Sequence, residues 1–360
     1  MLKIGMLGYG TVGRNVAALL VEKTRGMELR HILRRRGKAS GPLMTESIED
    51  ILTDPQVDVV VDVLSGAEPS YEYIRRALLA GKAVVTANKA AIAPHLRELT
   101  QLAREASCPF LYEASAGGGI PWIENIRKTA RVDRILAMSG ILNGTTNYVI
   151  DRMERFGLEF NVALAEAQAQ GYAEADPATD ISGEDTASKA VISVSAAMGT
   201  PLEHSFPVLG IEALRKGFIE ELRAEGRTVR HMMLFRRTRN RYALGVAPVV
   251  LPLSAIEASV RDNFNCASLT GDIVGTLKFY GQGAGGRPTA DAVLQDLAML
   301  RDGQATPPAE PSSEKLIYDP SLLTGRGFFP GGEDLPGRTL EELAGEASAR
   351  ECFMAFLPED

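Results

Sequence analysis

Cysteine and histidine are scarce in this chain of 360 residues. The three cysteines lie far apart, without C-x-x-C spacing, at Cys108, Cys266 and Cys352. This pattern argues against a disulfide framework and a cysteine-based zinc site, and it favours a reducing compartment. The four histidines are equally scattered and form no recognisable ligand set: His31, His95, His204 and His231. The sequence therefore indicates no transition-metal centre.

Net positive charge and long apolar runs are absent as well. The formal net charge of −7 argues against a general nucleic-acid binder, which would usually be basic. No apolar run reaches the roughly 18 residues of a membrane span. The start of the chain, "MLKIGMLGYG", reaches a glycine-rich turn too early for the apolar stretch of a signal peptide. We expect a cytoplasmic protein with neither nucleic-acid nor membrane partners.

What the chain does have, in its first third, is an alternation of short apolar segments with amphipathic helical patterns. "LKIGML", "ELRHIL", "VDVVVDVL", "KAVVTA" and "PFLYEA" are typical of strands, and helical patterns separate them. This βαβ order predicts an α/β domain with a doubly wound parallel sheet. We assign residues 1–130 to it.

The pattern changes after residue 130. Three longer segments read as strands (131–142, 242–251 and 267–279), which favours an α+β domain on a mixed or antiparallel sheet over residues 131–300. An arginine cluster from Arg223 to Arg241 reads as a solvated face. Residues 301–360 begin with the Pro-rich stretch "GQATPPAEPSS" and read as a linker with a short tail. Thr339 and Glu342 in this tail have capping-box spacing, which predicts one short helix.

The segment "GYGTVG" matches G-x-G-x-x-G between a predicted strand and a predicted helix. Its glycines, Gly8, Gly10 and Gly13, allow a tight turn and a close approach of the backbone to a pyrophosphate. In this context the motif predicts a Rossmann-type nucleotide site rather than a merely tight turn. Thr11 and Val12, at the helix start, are included among the cofactor-binding residues.

NAD-binding proteins usually carry an acid at the end of the second strand, where it binds the ribose hydroxyls. This chain has "RRRGK" there, Arg34 to Lys38, and no acid before Glu46. The run can be a solvated basic loop or a clamp for the 2′-phosphate of NADP. We predict the clamp, with Arg34 and Arg35 as its contacts, and NADP preferred over NAD.

Further candidates follow the next two predicted strands. Ser65 and Asn88 are predicted to contact the cofactor, because ligands of open parallel sheets bind at the carboxyl ends of the strands. Lys89 lies in the same position, in "TANK". It reads equally well as an ordinary surface lysine or as a residue that faces the substrate.

The stretch "GYAEADPATDISGEDTASK" holds five carboxylates and one lysine. Asp185 and Lys189 are four residues apart, so they share one face of the predicted helix. One explanation is a helix cap followed by an exposed ion pair worth about 0.2–0.5 kcal/mol. The other is a site that binds a small zwitterion and moves a proton. The residues alone favour the first.

Six motifs, in this order and at natural spacing, resemble the homoserine dehydrogenase family. They are "GYGTVG", "VVTANKA", "EASAGGGIP", "ILNGTTNYV", "GYAEADPATDISGEDTASK" and "GQGAGGRPTADAV". Other Rossmann dehydrogenases share the first motif but not "ILNGTTNY" with "GYAEADP". The resemblance implies NAD(P)-dependent interconversion of L-homoserine and L-aspartate 4-semialdehyde, on the route to threonine, methionine and isoleucine. It also implies a homodimer.

The resemblance reverses the balance for the charged stretch. It implies that Glu174 and Asp180 bind the substrate and that Asp185 and Lys189 are the catalytic pair. Lys89 competes for the proton-transfer role. The chemistry agrees, because a carboxylate can hold the homoserine ammonium by charge-assisted hydrogen bonds, and a partly buried lysine can exchange a proton. The substrate carboxylate is expected to bind backbone N–H groups at Gly144, Thr145 and Tyr172.

Two other features come from the resemblance. A sodium ion is expected against the backbone carbonyls of Glu113, Ala116 and Gly118. A C-terminal amino-acid-binding regulatory (ACT) domain occurs in many members, but the Pro-rich residues after "PTADAVLQDL" are unsuited to such a βαββαβ module. We therefore expect a monofunctional member without it.

Two alternative functions remain open. One is another Rossmann oxidoreductase that acts on a small amino-acid semialdehyde, including one that forms a thioester on a reactive cysteine. The sequence around Cys108, "ASCPF", leads into a predicted strand, which argues against that role. The other is a non-catalytic NADP-sensing protein.

Overall fold

The computed structural model describes residues 1–35, 37–38, 40–202, 204–312 and 314–359. The chain forms two compact units. The first contains residues 1–125, 199–201 and 284–312, and the second contains the rest of the described residues.

Strands and helices are numbered in chain order over the described residues. The strands are β1 (Leu2–Leu7), β2 (Met27–Leu33), β3 (Met44–Thr45), β4 (Val59–Asp62), β5 (Ala83–Thr86), β6 (Phe110–Leu111), β7 (Ile135–Ile141), β8 (Arg227–Thr238), β9 (Arg241–Pro252), β10 (Phe264–Gly271), β11 (Gly275–Gln282), β12 (Ile317–Tyr318), β13 (Thr324–Phe328), β14 (Asp334–Thr339) and β15 (Ala355–Pro358). The helices are α1 (Thr11–Lys23), α2 (Glu49–Leu52), α3 (Ser70–Leu79), α4 (Lys89–Ile92), α5 (Leu96–Glu105), α6 (Trp122–Ala130), α7 (Gly144–Phe156), α8 (Phe160–Ala169), α9 (Ala178–Ile181), α10 (Glu184–Met198), α11 (Lys216–Ala224), α12 (Gly286–Arg301) and α13 (Leu340–Ala349).

The first unit is built on a parallel sheet with the strand order β3-β2-β1-β4-β5-β6. β4 carries four consecutive buried residues, as its near-continuous apolar sequence predicts for a strand covered on both faces. The chain reverses its direction of winding between β1 and β4, which is where doubly wound sheets bind their ligands. The predicted doubly wound parallel sheet is confirmed.

Helix α12 belongs to the first unit, although in sequence it follows strands of the second. It packs its apolar side on α1 and the parallel sheet, in a core that includes Ile4, Val16, Val293, Leu294 and Leu297. The carboxylate of Asp296 on this helix accepts a hydrogen bond from the backbone N–H of Glu113 at 3.0 Å. The sequence assigned this helix to the predicted second domain, residues 131–300. That assignment was wrong, because chain order does not show which core an amphipathic helix packs into.

The second unit is built on a mixed sheet with the order β11-β10-β7-β8-β9-β15-β13-β14, and β12 pairs with β9. The pairs from β11 to β9 are antiparallel, whereas β12 and β15 run parallel to β9. The mixed sheet predicted for this domain is confirmed. Helices α7, α8 and α11 pack their apolar residues into one shared core with β8 and β9.

One segment predicted as a single strand forms two strands. The segment 267–279 contains the hairpin of β10 and β11 rather than a single strand. Its turn is held by the carboxylate of Asp133, which accepts the backbone N–H groups of Ile273 and Val274 at 3.0 and 2.9 Å. Gly275, with φ of +72°, completes the turn. Because the turn contains the apolar residues Ile273 and Val274, the hydrophobic pattern did not indicate a turn there.

The prediction of a solvated arginine face was wrong for part of Arg223–Arg241. Most of that segment is strand β8, and Arg230 at its middle is fully buried. Its guanidinium donates to the buried carboxylate of Glu154 at 2.7 Å and to the carbonyl of Ala258 at 2.7 Å. A partner on a helix seventy-six positions earlier is invisible in the local pattern.

The C-terminal segment also differs from the expected linker and short tail. The predicted helix is present as α13, and its capping box of Thr339 and Glu342 is confirmed. Strands β12 to β15 around it join the sheet of the second unit. Gly327 allows this packing, because a Cβ there would lie 2.5 Å from a methyl carbon of Leu343. Gly327 is therefore a point of close contact between β13 and α13.

Across the described part of the chain, no helix combines the length and the apolar character that a membrane crossing requires.

Candidate functional site

The connection between β1 and α1 has the geometry that its glycines predict. Gly8 has φ of +98°, which favours glycine. A Cβ on Gly13 would lie 2.5 Å from the carbonyl oxygen of Gly8, so only glycine lets α1 start this close to β1. A Cβ on Gly10, the N-cap, would meet nothing within 4 Å. The N-terminus of α1, at Thr11 and Val12, therefore has open space in front of Gly10, and helix N-termini of this kind favour anions such as a pyrophosphate.

Ser65 and Asn88 lie in the loops that follow β4 and β5, the next two strands of the parallel sheet. Ser65 is exposed in the loop after β4. Asn88 is the N-cap of α4, and its side chain accepts a hydrogen bond from the backbone N–H of Ala91 at 3.2 Å. Its amide nitrogen also donates to the carbonyl of Gly66 at 2.7 Å, which ties the two loops together. Lys89, half-buried, is the first residue of α4.

The basic segment follows β2 on the same sheet. The Arg34 guanidinium lies 5.4 Å from the centre of the Tyr9 ring, a cation–π distance, and Arg35 is exposed. Arg36 lies outside the described residues. The carboxylate of Glu46 accepts the backbone N–H of Gly37 at 2.6 Å. An acid therefore does contact this loop, although it lies well downstream of the end of β2.

The segment proposed for sodium is a buried stretch of irregular backbone in the first unit. Residues 113–115 form one 3₁₀ turn, and Gly117 and Gly118 follow with φ of +89° and +61°. The Glu113 carboxylate accepts the backbone N–H groups of Ile123 and Glu124, at 3.0 and 2.6 Å, at the start of α6. Carbonyl oxygens on a buried irregular segment are suitable ligands for a hard cation.

In the second unit, the N-terminal half of α10 carries a buried ion pair. The Lys189 ammonium lies 2.6 Å from a carboxylate oxygen of Asp185 and 2.7 Å from the carbonyl oxygen of Leu142. Both residues are only 8% exposed. The pair is therefore not the exposed i,i+4 ion pair that the residues alone favoured. Removing either partner would leave a buried charge without compensation, which is far more costly than losing a surface pair.

Asn143 joins this pair to a second carboxylate. Its amide nitrogen donates to Asp185 at 2.8 Å and to Asp180 at 2.7 Å. Its amide oxygen accepts the backbone N–H of Thr146 and caps α7. One buried side chain thus holds two acids at the start of a helix.

Of the remaining predicted substrate residues, Thr145 contacts Asp180 directly. The Thr145 hydroxyl lies 2.9 Å from the Asp180 carboxylate and 2.9 Å from the carbonyl oxygen of Tyr172. Gly144 starts α7, and a Cβ there would lie 2.9 Å from the carbonyl oxygen of Asn263. Glu174 is exposed, and the contact at its backbone comes from the Gln168 amide at 3.2 Å.

His231 on β8 lies behind α10. Its ring is buried, with Nε2 3.0 Å from the carbonyl of Leu209 and Nδ1 3.5 Å from the Thr186 hydroxyl. Burial lowers the pKa of His231 to about 4, against smaller opposing contributions from the Leu209 carbonyl and Asp185. The ring is therefore neutral at physiological pH, and the donor to the Leu209 carbonyl is Nε2–H. No group of three or more acidic, histidine or cysteine side chains in the described ranges is arranged to hold a metal ion.

Three functional candidates escaped sequence reasoning: Asn143, the carbonyl of Leu142 and Asp62. Asn143 stands in "NGTT", where an Asn-Gly pair before a helix indicates only a turn or a cap. A backbone carbonyl has no sequence signal. Asp62 is the last residue of β4, fully buried, and its apolar neighbours concealed it.

Comparison with known proteins identifies the family of the chain. Residues 8–113 match the family model described as the NAD-binding domain of homoserine dehydrogenase, and residues 121–298 match the homoserine dehydrogenase model. The homoserine dehydrogenase of Pseudomonas aeruginosa is 36% identical over 91% of this chain and 78% of its own length. That of Mycobacterium bovis is 34% identical over 98% of this chain and 85% of its own length.

Solved structures give the same result. The crystal structure of a homoserine dehydrogenase from Thiobacillus denitrificans has a TM-score of 0.84 and 31% identity, over 92% of this chain and 84% of that one. A hyperthermophilic archaeal homoserine dehydrogenase in complex with NADPH has a TM-score of 0.75 and 26% identity, over 85% of this chain and 99% of that one. The chain, with its nucleotide-binding turn and its buried Lys189–Asp185 pair, belongs to the homoserine dehydrogenase family of nicotinamide-dependent oxidoreductases.

Proposed function

We propose that this chain interconverts L-homoserine and L-aspartate 4-semialdehyde, with Lys189 exchanging the proton of the substrate oxygen. The observation that carries the proposal is the Lys189 ammonium, buried between the Asp185 carboxylate and the Leu142 carbonyl. A bound nicotinamide supplies the hydride acceptor or donor at the carbon that bears this oxygen.

The two directions place different demands on Lys189. When the semialdehyde is reduced, its oxygen gains negative charge, and a lysine ammonium can donate the proton directly. When homoserine is oxidised, the amine must first release its own proton. Asp185 is expected to orient the amine in both directions.

The charges around Asp180 suit the zwitterionic part of the substrate. We assign Glu174 and Asp180 to the ammonium, because each offers a carboxylate on a residue that is not buried: Glu174 is exposed and Asp180 is half-buried. The substrate carboxylate is assigned to the backbone N–H groups of Gly144 and Thr145. The predicted contribution of Tyr172 is dropped, because its backbone N–H donates to the carbonyl of Ala167 at 2.9 Å. Support comes from α7, a helix of thirteen residues, because a helix N-terminus favours an anion.

For the cofactor, we propose that NADP is preferred. Arg34 and Arg35 offer guanidinium groups to a 2′-phosphate, and Arg34 is already held against Tyr9. Glu46 acts against this preference, since its carboxylate contacts the same loop at Gly37. Gly8, Gly10, Thr11, Val12, Gly13, Ser65 and Asn88 complete the proposed contacts.

We retain sodium, held by the carbonyls of Glu113, Ala116 and Gly118, as part of the proposal. The buried irregular backbone of this segment supports it. The homodimer and the cytoplasmic location also stay proposals. Light scattering after gel filtration tests the first.

The thiol-based alternative has little support. A thioester-forming enzyme needs a reactive thiolate, but Cys108 and Cys266 are buried. Burial raises the pKa of Cys108, and burial also raises that of Cys266 to about 11, with a smaller contribution from Glu257.

The deciding experiment is a homoserine-dependent increase in the ultraviolet absorbance of reduced nicotinamide. Three control reactions lack homoserine, replace it with threonine, or use enzyme treated with iodoacetamide. Turnover that needs homoserine and survives the alkylation supports the proposal. Tight nucleotide binding without turnover would favour the NADP-sensing alternative, and turnover abolished by alkylation would favour the thiol mechanism.

A further inference from the structure

The buried carboxylate of Asp62 stands at the centre of the nucleotide-binding edge. Asp62 ends β4 with no exposed surface, and it is in register with Leu7 of β1 and Thr86 of β5. It therefore lies where the glycine turn and the two following loops begin.

Three donors point at this carboxylate. The hydroxyls of Ser70 and Thr86 donate to Oδ2 at 2.6 and 2.9 Å, and the backbone N–H of Leu64 lies 3.2 Å from Oδ1. These donors come from α3, from β5 and from the loop after β4, so one side chain holds three separate segments.

The network continues to the proposed cofactor contacts. The Thr86 hydroxyl oxygen accepts the backbone N–H of Asn88 at 3.0 Å, and the Asn88 amide donates to Gly66 at 2.7 Å. Gly66 is the neighbour of Ser65. The positions of Ser65 and Asn88 therefore both depend on Asp62, although neither residue touches it.

A carboxylate is a costly means of joining loops inside a protein. Burial disfavours the charged form and raises the pKa of Asp62 to about 6, although the bonds from Ser70, Leu64 and Thr86 lower it. An amide would avoid this cost, but it has only one accepting oxygen, so it could not accept from the two hydroxyls and from the Leu64 N–H together. The groups that face the carboxylate are the two hydroxyls and one amide, and β1 presents Leu7. No charged side chain of the described residues is among the causes of its shift.

We propose that Asp62 is a positioning residue for the nucleotide, and that its ionisation makes nucleotide affinity depend on pH. The proposal rests on the proposed function for the identity of the ligand. In its ionised form the carboxylate accepts from Ser70 and Thr86 together. Once protonated, it carries a hydrogen of its own, so one hydroxyl must turn away from Oδ2. The loops that carry Ser65 and Asn88 then lose a shared constraint, and affinity falls as pH decreases through about 6.

The test measures nucleotide binding rather than turnover. NADH is the probe because it lacks the 2′-phosphate, which itself titrates near this range. Calorimetric titrations at about pH 7.5, 6.5 and 5.5 compare the wild type with Asp62→Asn. A matched control is Asp58→Asn, the same substitution on an exposed acid just before the amino end of β4.

We expect the wild type and Asp58→Asn to lose about fivefold in NADH affinity between the highest and lowest pH, the equivalent of one hydrogen bond. Asp62→Asn should bind more weakly at high pH and show a flat profile. A lower melting temperature combined with wild-type affinity and a wild-type pH profile would overturn the proposal and leave Asp62 a purely structural residue.

A second pair of variants keeps the test decisive if Asp62→Asn does not fold. Thr86→Val removes the hydroxyl that joins Asp62 to Asn88, and Thr86→Ser restores it. Weaker NADH binding in the valine variant with rescue by serine supports the proposal, and equal affinities overturn it. An enzyme that binds NADH with the expected pH profile yet does not oxidise homoserine would contradict the proposed activity and leave this inference intact.

Discussion

The Nζ atom of Lys189 lies 2.6 Å from Oδ2 of Asp185, one helical turn earlier on α10. The side chains are 11% and 7% exposed, so solvent screens their attraction little. The pair is anchored at both ends, by Leu142 on the lysine and by Asn143 on the aspartate. An arrangement this constrained keeps the amine at one fixed point, as proton transfer requires.

Lys189→Ala should lower turnover by about 10²–10⁴-fold, the usual contribution of a general acid–base group. NADH affinity, measured by calorimetry, should stay close to that of the wild type. Lys278→Ala is the matched control, because it removes the lysine of another ion pair in the second unit, with Glu257. If Lys189→Ala retains a third of wild-type turnover while Lys89→Ala does not, the proton transfer belongs to Lys89.

Asn143 has two roles, the cap of α7 and the donor shared by Asp180 and Asp185, and one substitution can separate them. Asn143→Ser keeps an oxygen that can cap α7, so the melting temperature should change little. Serine lacks the amide nitrogen that reaches Asp180 and Asp185, so the two carboxylates lose their shared donor. We expect turnover to fall at least tenfold, by about 1.4 kcal/mol or more in transition-state stabilisation. Thr146→Ser is a control on the same turn, and equal turnover in both variants would contradict this role.

Glu174→Gln should mainly raise the Michaelis constant for homoserine. The substitution keeps the shape of the side chain and removes the charge assigned to the ammonium. Glu184→Gln, on an exposed acid at the start of α10, controls for the general loss of negative charge. Unchanged constants in both variants would show that Glu174 is a surface residue only.

Cofactor preference is tested by calorimetric titration of both nucleotides. Wild type should favour NADP over NAD by about ten- to a hundredfold, or about 1.5–3 kcal/mol. The double substitution Arg34→Ala with Arg35→Ala should remove this preference and leave NAD affinity unchanged. Glu46→Gln should increase the preference, because it removes the acid that contacts Gly37. A double mutant that still prefers NADP would rule out the clamp.

His231 should make the second unit sensitive to acid. Its pKa in the folded state, about 4, lies below the ordinary value of 6.5, so the neutral ring favours folding. The neutral ring makes its full contribution to the free energy of unfolding above pH 6.5. That contribution is lost as pH falls toward 4, and the total loss is about 3 kcal/mol. His231→Gln, which keeps a donor for Leu209 but does not titrate, should lose less stability between pH 7 and 4.5 in urea unfolding. His204→Gln, at an exposed histidine, should behave like the wild type.

Local pattern was sufficient for much of the fold and for part of the site. The turn at Gly8 and Gly13 follows from a motif whose geometry depends on a few consecutive residues. The contact of Asp185 with Lys189 follows from helical spacing. Strand β4 was predictable because a strand buried on both faces is apolar throughout.

The residues that sequence reasoning missed depend on partners far away in the chain. Arg230 is buried because Glu154 lies opposite it, and nothing near Arg230 indicates that partner. Asp62 is stabilised by Thr86, twenty-four positions later. Strand β15 is short, and it becomes a strand because β13 and β9 pair with it on either side. Such pairings are set by the assembled core.

The place of α12 in the chain has a consequence for synthesis. The core of the nucleotide-binding unit includes Val293, Leu294 and Leu297, although most of that unit ends at Asn125. A ribosome adds roughly 5–20 residues per second, so the intervening chain takes on the order of 10 s to make. During that interval the apolar side of α1 has no α12 to cover it. The first part of the chain to be made is therefore among the last to complete its core, and the nascent protein must be protected from aggregation while it waits.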